Sequence, residues 1–219
     1  MKKYFDILRK SPLFDGICDT ELEKALAFFG AKIITRKKGG NILSEGDPAK
    51  FLGIVLSGKV RIIRIDYYGN RSILASLEPP HIFGEAFACA ETEVLPISVE
   101  AAEDTAVMLI DADRITGSYG STLQFHSRMV FNLLKIVSHK NIELNQRAEI
   151  TSKRSTREKL LAYLAVQAKR NESRSFIIPY NRQELADYLE VDRSGLSAEI
   201  SKLRRNGIIE CKRSAFTLL

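Results

Sequence analysis

Three kinds of hydrophobic pattern follow one another along the chain. In residues 1–29, Leu8, Leu13, Phe14, Leu22, Leu26 and Phe29 recur at roughly helical spacing, and Pro12 and Gly16 break the segment into pieces. From Lys32 to about Asp111 the pattern shortens to β-rich runs such as FLGIVLSGKVRIIRI, RSILASL and AVMLI. Gly39-Gly40, Gly46-Asp47-Pro48, Ser57-Gly58 and Tyr68-Gly69-Asn70 punctuate these runs at the spacing of an all-β sandwich or barrel. Residues 65–72 read as a hairpin whose glycine supplies a positive φ.

From Ser121 to about Thr151 the period turns helical again. Leu123, Ser127, Val130, Leu134, Val137, Asn141, Leu144 and Ala148 follow one another at the alternating spacing of a heptad seam. Asn141 occupies an a position, where a buried asparagine lowers stability but fixes register and favours two-stranded pairing. The pattern predicts a dimerisation helix over residues 121–151, paired through Leu123, Val130, Leu134, Val137, Asn141 and Leu144. The competing reading is a helix packed on its own core, for which Met129, Phe131 and Leu133 supply apolar surface. Ser155-Thr156-Arg157-Glu158 is a capping box opening a second helix through Leu160, Leu161, Leu164 and Ala168. That helix ends in the polar stretch 170–175, and Lys153–Arg154 is the expected hinge and domain boundary.

The stretch IPYNRQELADYLEVDRSGLSAEISKLRRNGIIECKRSAFTLL predicts a winged helix-turn-helix. Asn181 and Glu184 form a second capping box, and Leu185, Ala186 and Leu189 give the short helix its apolar side. Glu190-Val191-Asp192 makes the turn, and Asp192 caps the next helix, which Gly207 stops. Leu196, Ile200 and Leu203 form a buried stripe. The outer face carries Ser194, Ala198, Ser201 and Arg205, flanked by Arg193, Ser197 and Lys202. A recognition helix needs this division, one face locked into its domain and short polar or basic side chains offered to the major groove. IIECK and SAFTLL then read as a two-stranded wing turning near Arg213-Ser214.

Charge sharpens the picture. The 219 residues carry a net charge of +6. Residues 1–149 hold 19 basic and 19 acidic side chains, so the whole excess lies in residues 150–219, with 14 basic and 8 acidic. A basic module joined to a neutral one points to a polyanion, here double-stranded DNA. No apolar run approaches the roughly 20 residues that span a bilayer, so no membrane partner is expected and a cytoplasmic protein is. Cys18, Cys89 and Cys211 are too scattered for a disulfide scaffold or a local metal cluster. Small β-barrels also house metal-dependent enzymes, but His81, His126 and His139 show no His-x-His spacing, and no P-loop or nucleophile elbow occurs. An enzyme is therefore not expected.

With LFDG near the start, GDPAKFLGIVLSGKVRI and FGE in the β region, the long helix and the terminal winged helix, the whole chain resembles the cyclic-AMP receptor and fumarate–nitrate regulator (Crp/Fnr) family of bacterial transcription regulators. The resemblance implies an α+β fold: a β-roll (double-stranded β-helix, cupin-like) effector domain over 1–120, the dimerisation helix over 121–151, and a winged helix-turn-helix over 152–219. It also implies a palindromic operator and RNA polymerase as partners. Nucleotide-binding members pair Gly-Glu with an Arg-Ser/Thr-Ala run about ten residues on. Gly84-Glu85 matches the first half, while the arginine and hydroxyl positions fall on Leu95 and Pro96. A cyclic phosphate needs a buried cation, and the stand-ins would be Arg61, Arg64 or Arg71.

The family's pocket falls on Ile62, Leu74, Phe83, Gly84, Glu85 and Leu95, with Asn141 near its edge. The expected effector is therefore a small molecule other than a cyclic nucleotide, and no cofactor is expected; a cyclic-nucleotide-responsive regulator is the alternative. The family's base-reading positions fall on Arg193, Ser194 and Ala198, of which Arg193 agrees with members of the best-known operator. Cys89 and His81 read as a buried structural cysteine and a satisfied turn histidine.

Overall fold

The computed structural model describes residues 2–69, 71–117 and 123–219. Its contacts divide the chain into two compact units, Met1–Ser138 and His139–Leu219.

In the first unit, 3-10 turns at Lys2–Tyr4 and Pro12–Phe14 alternate with helices α1 (Phe5–Leu8) and α2 (Asp19–Phe28). Strands β1 (Lys32–Arg36), β2 (Asn41–Leu43), β3 (Phe51–Ser57), β4 (Val60–Ile65), β5 (Arg71–Leu77), β6 (Ile82–Phe83), β7 (Ser98–Ala101) and β8 (Thr105–Asp111) follow. They pair antiparallel in two sheets, β1-β8-β3-β6 and β2-β7-β4-β5. Helix α3 (Glu85–Cys89) leaves β6, and α4 (Asp113–Thr116) follows β8. Of the expected hairpin, Gly69 takes φ +82° and its N–H donates to the Asp66 carbonyl at 2.9 Å, while Asn70 lies outside the described residues.

Strand β3 is apolar on both faces because each face covers a different core. Successive side chains of a strand point to opposite sides. Leu52, Ile54 and Leu56 of β3, with Ala106, Met108 and Ile110 of β8, pack against Leu22, Leu26 and Phe29 beside α2. Val55 and Val107 turn the other way, into a cluster with Leu43, Val60, Phe83, Leu95 and Val99. Gly53 sits under the Phe83 ring, where an added Cβ would lie 2.1 Å from a ring carbon.

Helix α5 runs Gln124–Thr151, starting after the expected Ser121, and residues 118–122 lie outside the described ones. Phe125, Met129 and Leu133 join the α2 core. Buried Asn132 donates from Nδ2 to the carbonyls of Leu13 (3.0 Å) and Asp15 (2.9 Å). The contact boundary falls inside α5 at 138/139 rather than at Lys153–Arg154. The physical reason is that the two ends of α5 serve different cores: Ile150 packs with Leu160 and Leu164 of the second unit.

The second unit adds α6 (Thr156–Arg170), β9 (Ser175–Ile177), α7 (Arg182–Leu189), α8 (Arg193–Arg205), β10 (Ile209–Lys212) and β11 (Ala215–Leu218). The Ser155 capping box forms as expected, with the Glu158 N–H donating to Ser155 Oγ at 3.2 Å and the Ser155 N–H to Glu158 Oε2 at 3.1 Å. The wing has a third strand, in the order β10-β11-β9. Only three residues long, β9 carries too little alternation to be read from sequence, yet it pairs Phe176 with Phe216.

Candidate nucleic-acid interface

The helix-turn-helix is held by the caps its sequence encodes. Asn181 Oδ1 accepts from the N–H groups of Gln183 (2.9 Å) and Glu184 (3.0 Å), and Glu184 Oε2 accepts from the Asn181 N–H at 2.8 Å. Helix α7 ends at Glu190 in the left-handed region, φ 54°. The Lys159 ammonium donates to the Leu189 carbonyl there at 3.2 Å, a cation at a helix C-terminus. Asp192 Oδ2 accepts from the Gly195 N–H at 2.8 Å and from the Ser194 hydroxyl. These two bonds, the hydroxyl's first, hold the Asp192 carboxyl below its usual range.

Helix α8 then divides as expected. Leu196, Ile200 and Leu203 are buried, whereas Arg193, Ser194, Ala198, Ser201, Lys202 and Arg205 are exposed and Ser197 is half-buried. Two of the expected readers are partly engaged. The Ser194 hydroxyl donates to Asp192, and that of Ser201 donates to the Ser197 carbonyl at 2.9 Å. Both keep acceptor lone pairs for DNA. Arg193, at the first helical position, is exposed.

Sequence reasoning missed Arg204 and Lys212. They join Ser201 and Arg205 around a cleft of about 700 Å³ between α8 and the wing, with Glu210 the acidic residue on its wall. The signal was available in the pair Arg204-Arg205 and in the Lys212-Arg213 turn, where Arg213 takes φ 54°. Three cations around one concave surface suit a phosphate backbone.

The expected effector positions lie in the first unit, except Asn141. Ile62, Phe83 and Leu95 meet in the inter-sheet cluster. Gly84 takes φ +78° and caps α3, where an added Cβ would lie 2.9 Å from the Phe51 carbonyl. Glu85 follows it, buried. Leu74 is not brought into the group; it stands 46% exposed on the edge strand β5. Asn141, in the second unit, accepts from Asn145 Nδ2 at 2.8 Å.

Of the stand-in cations, Arg71 donates to both oxygens of Glu100, at 3.0 and 2.9 Å, and Arg64 is exposed and Arg61 half-buried. Among the described residues the buried polar side chains of this unit are Ser11, Glu85, Thr105, His126 and Asn132, with no lysine or arginine. Cys89 is half-buried, and burial, followed by the Glu85 charge, pushes its thiol up, away from thiolate reactivity. His81 Nδ1 lies 2.8 Å from the Glu78 carbonyl. His126 is buried in this unit and stacks on Phe29 at 5.9 Å. Among the described residues no group of His, Cys, Asp and Glu is placed to hold a metal, and no helix is long and apolar enough to cross a membrane.

The expected seam positions, Leu123 just before α5 and the rest on it, face away from the cores. Leu123, Val130, Leu134 and Val137 of the first unit are exposed, and so are Asn141 and Leu144 of the second.

Two family matches divide the chain along these lines. Residues 34–117 match the Cyclic nucleotide-binding domain, and residues 158–219 match the Crp-like helix-turn-helix domain. The chain belongs to the Crp/Fnr family. It is a DNA-binding transcription regulator of that family. Among curated Crp/Fnr relatives, the Cyclic AMP receptor protein of Thermus thermophilus is 26% identical over 202 residues, 92% of this chain and 89% of the relative. The Transcriptional activator protein FnrA of Stutzerimonas stutzeri is 23% identical over 188 residues, 84% of this chain and 75% of the relative. The solved structure of the c-di-GMP responsive global regulator CLP of Xanthomonas campestris shares the fold, with a TM-score of 0.59 at 18% identity, covering 90% of this chain and 97% of that one.

Proposed function

We propose that this Crp/Fnr regulator acts as a homodimer on a palindromic operator, under the control of a small molecule other than a cyclic nucleotide. The observation that carries the dimer is the exposed seam of α5, where Leu134 and Leu144 are 62% and 65% exposed. Apolar positions at heptad spacing need a partner helix, and Asn141 sets the register of a parallel pair. Two-fold pairing presents two α8 helices, hence two half-sites. Arg193 reads base edges, with Ser194, Ser197, Ala198 and Ser201 close to the groove, while Lys202, Arg204, Arg205 and Lys212 meet phosphates. RNA polymerase is the further partner, as the activator names of several relatives suggest.

The effector reading rests on a separate observation. No lysine or arginine is buried among the described residues of the β-roll unit, and buried Leu95 stands at the arginine position of nucleotide-binding members. A phosphate stripped of water there would lack a counter-charge. Ile62, Phe83 and Leu95 favour a largely apolar or aromatic effector, with Glu85 meeting a hydroxyl or amine. Calorimetry with cyclic AMP is the test. No heat at micromolar nucleotide is expected, and micromolar binding that depends on Glu85 would overturn the effector reading.

A further inference from the structure

The wing ends in a two-residue turn. Lys212 pairs with Ala215 across β10 and β11, which leaves Arg213 and Ser214 as the loop. Arg213 takes φ 54°, the left-handed conformation that a tight hairpin ordinarily assigns to glycine or asparagine. An arginine held there carries backbone strain that glycine would not. The Arg213 side chain is exposed. Ser214 beside it is clamped: its hydroxyl donates to the Tyr180 carbonyl at 3.0 Å, and its own carbonyl accepts from the Ile178 N–H at 2.9 Å. Strand β9 backs the wing as well, pairing Ile177 with Ala215. The tip is therefore a fixed mount for an exposed cation.

The cleft decides which groove that cation meets. Ser201, Arg204 and Arg205 of α8 stand on one side of it, and Lys212 and Ala215, the pair flanking the turn, stand on the other. In duplex DNA a sugar–phosphate strand separates the major groove from the minor. With α8 in the major groove and the phosphates of one strand between Arg204 and Lys212, the wing lies across that strand, over the minor groove.

We propose that Arg213 enters the minor groove beside each half-site and makes A·T pairs preferred there. The inference rests on the proposed entry of α8 into the major groove. Runs of A·T pairs narrow the minor groove and deepen its negative potential, which draws a guanidinium in. Adenine N3 and thymine O2 on the groove floor accept its hydrogen bonds. A G·C pair instead sets the guanine 2-amino group, a donor, against another donor. Arg213 thus reads composition and groove width, whereas Arg193 reads base edges in the major groove.

Competition binding of the full chain tests this on a duplex that the wild type prefers. Only the base pairs flanking the half-sites are varied, among A·T, G·C and inosine·cytosine. Inosine lacks the 2-amino group, so its pair with cytosine resembles A·T in the minor groove and G·C in the major. Wild type should bind A·T and inosine·cytosine flanks alike, and G·C flanks about fivefold more weakly or worse. Arg213→Gly suits the left-handed turn, so it should melt no lower than wild type. It should bind all three flanks alike and keep the wild-type ranking of half-site variants. An arginine that met only a phosphate would, on substitution, weaken all flanks equally and leave wild type without a flank preference, which would overturn the proposal. Inosine·cytosine flanks bound as weakly as G·C, or a flank preference that survives Arg213→Gly, would overturn it too. A half-site ranking still present in wild type separates these failures from a failure of α8 as the reader, in which that ranking would itself be absent.

Discussion

Leu133 and Leu134 are neighbours in sequence with opposite environments: Leu133 is 5% exposed in the core beside Phe125 and Met129, and Leu134 is 62% exposed on the other side of α5. One helix thus carries two apolar faces, of which one has a partner among the described residues.

The two leucines should therefore separate stability from association. Leu134→Asp places two carboxylates at a close contact of the proposed dimer, where unpaired buried charge is costly. It should sediment as a monomer at micromolar concentration with its unit still folded. Leu133→Ala should lower unfolding stability by about 2–5 kcal/mol, the range for a buried leucine, and remain a dimer. Sedimentation velocity and denaturant titration read the two effects, and a monomeric wild type would contradict both.

Asn132 is the polar counterpart of Leu133. It joins α5 to the amino-terminal turns through the Leu13 and Asp15 carbonyls. Asn132→Ala strips both acceptors of their donor and should lower stability by about 1–3 kcal/mol. A urea midpoint unchanged within error would show that these bonds contribute nothing.

The Asp192 cap carries a pH dependence of definite sign. Its carboxyl is held below the ordinary value of 3.8, so the stability it adds is fully present above that value and is lost as pH falls through the lower folded value. Asp192→Asn still offers an oxygen to the Gly195 N–H but no charge. Wild type should melt above the variant at neutral pH, and the two should converge in acid below pH 3.8. A difference independent of pH would show that the charge is not what the cap uses.

Much of this architecture is legible in the sequence, for physical reasons that differ by element. The caps at Ser155, Asn181 and Asp192 are local chemistry, and each forms the bonds its spacing implies. The stripe Leu196, Ile200, Leu203 is buried because helical periodicity fixes a face whatever it packs on. The two faces of α5 are harder, since periodicity marks both as apolar without saying which one the chain itself covers. Leu74 stands exposed on β5, because among the described residues no layer packs on that side of the strand, which the residue pattern alone does not show. Strand β9 is too short to carry a readable alternation, and Lys212 comes beside Arg204 of α8 only once the wing has folded.

Arg193 and Lys202 should fail in different ways when truncated. Arg193 can donate two hydrogen bonds to guanine, worth about 1–3 kcal/mol of discrimination. Arg193→Ala should flatten the ranking of operator variants and leave most nonspecific affinity. Lys202→Ala should weaken all sequences alike and reduce the salt slope by about one. Competition binding at two salt concentrations distinguishes them, and a ranking that survives Arg193→Ala would remove that residue as a base reader.

Selection of binding sites from random duplex DNA by the wild-type protein tests the central claim most directly. A homodimer presenting two α8 helices predicts enrichment of a two-fold symmetric site, with half-site centres about 10 base pairs apart. Enrichment of an asymmetric single half-site, or no sequence enrichment at all, would contradict the account.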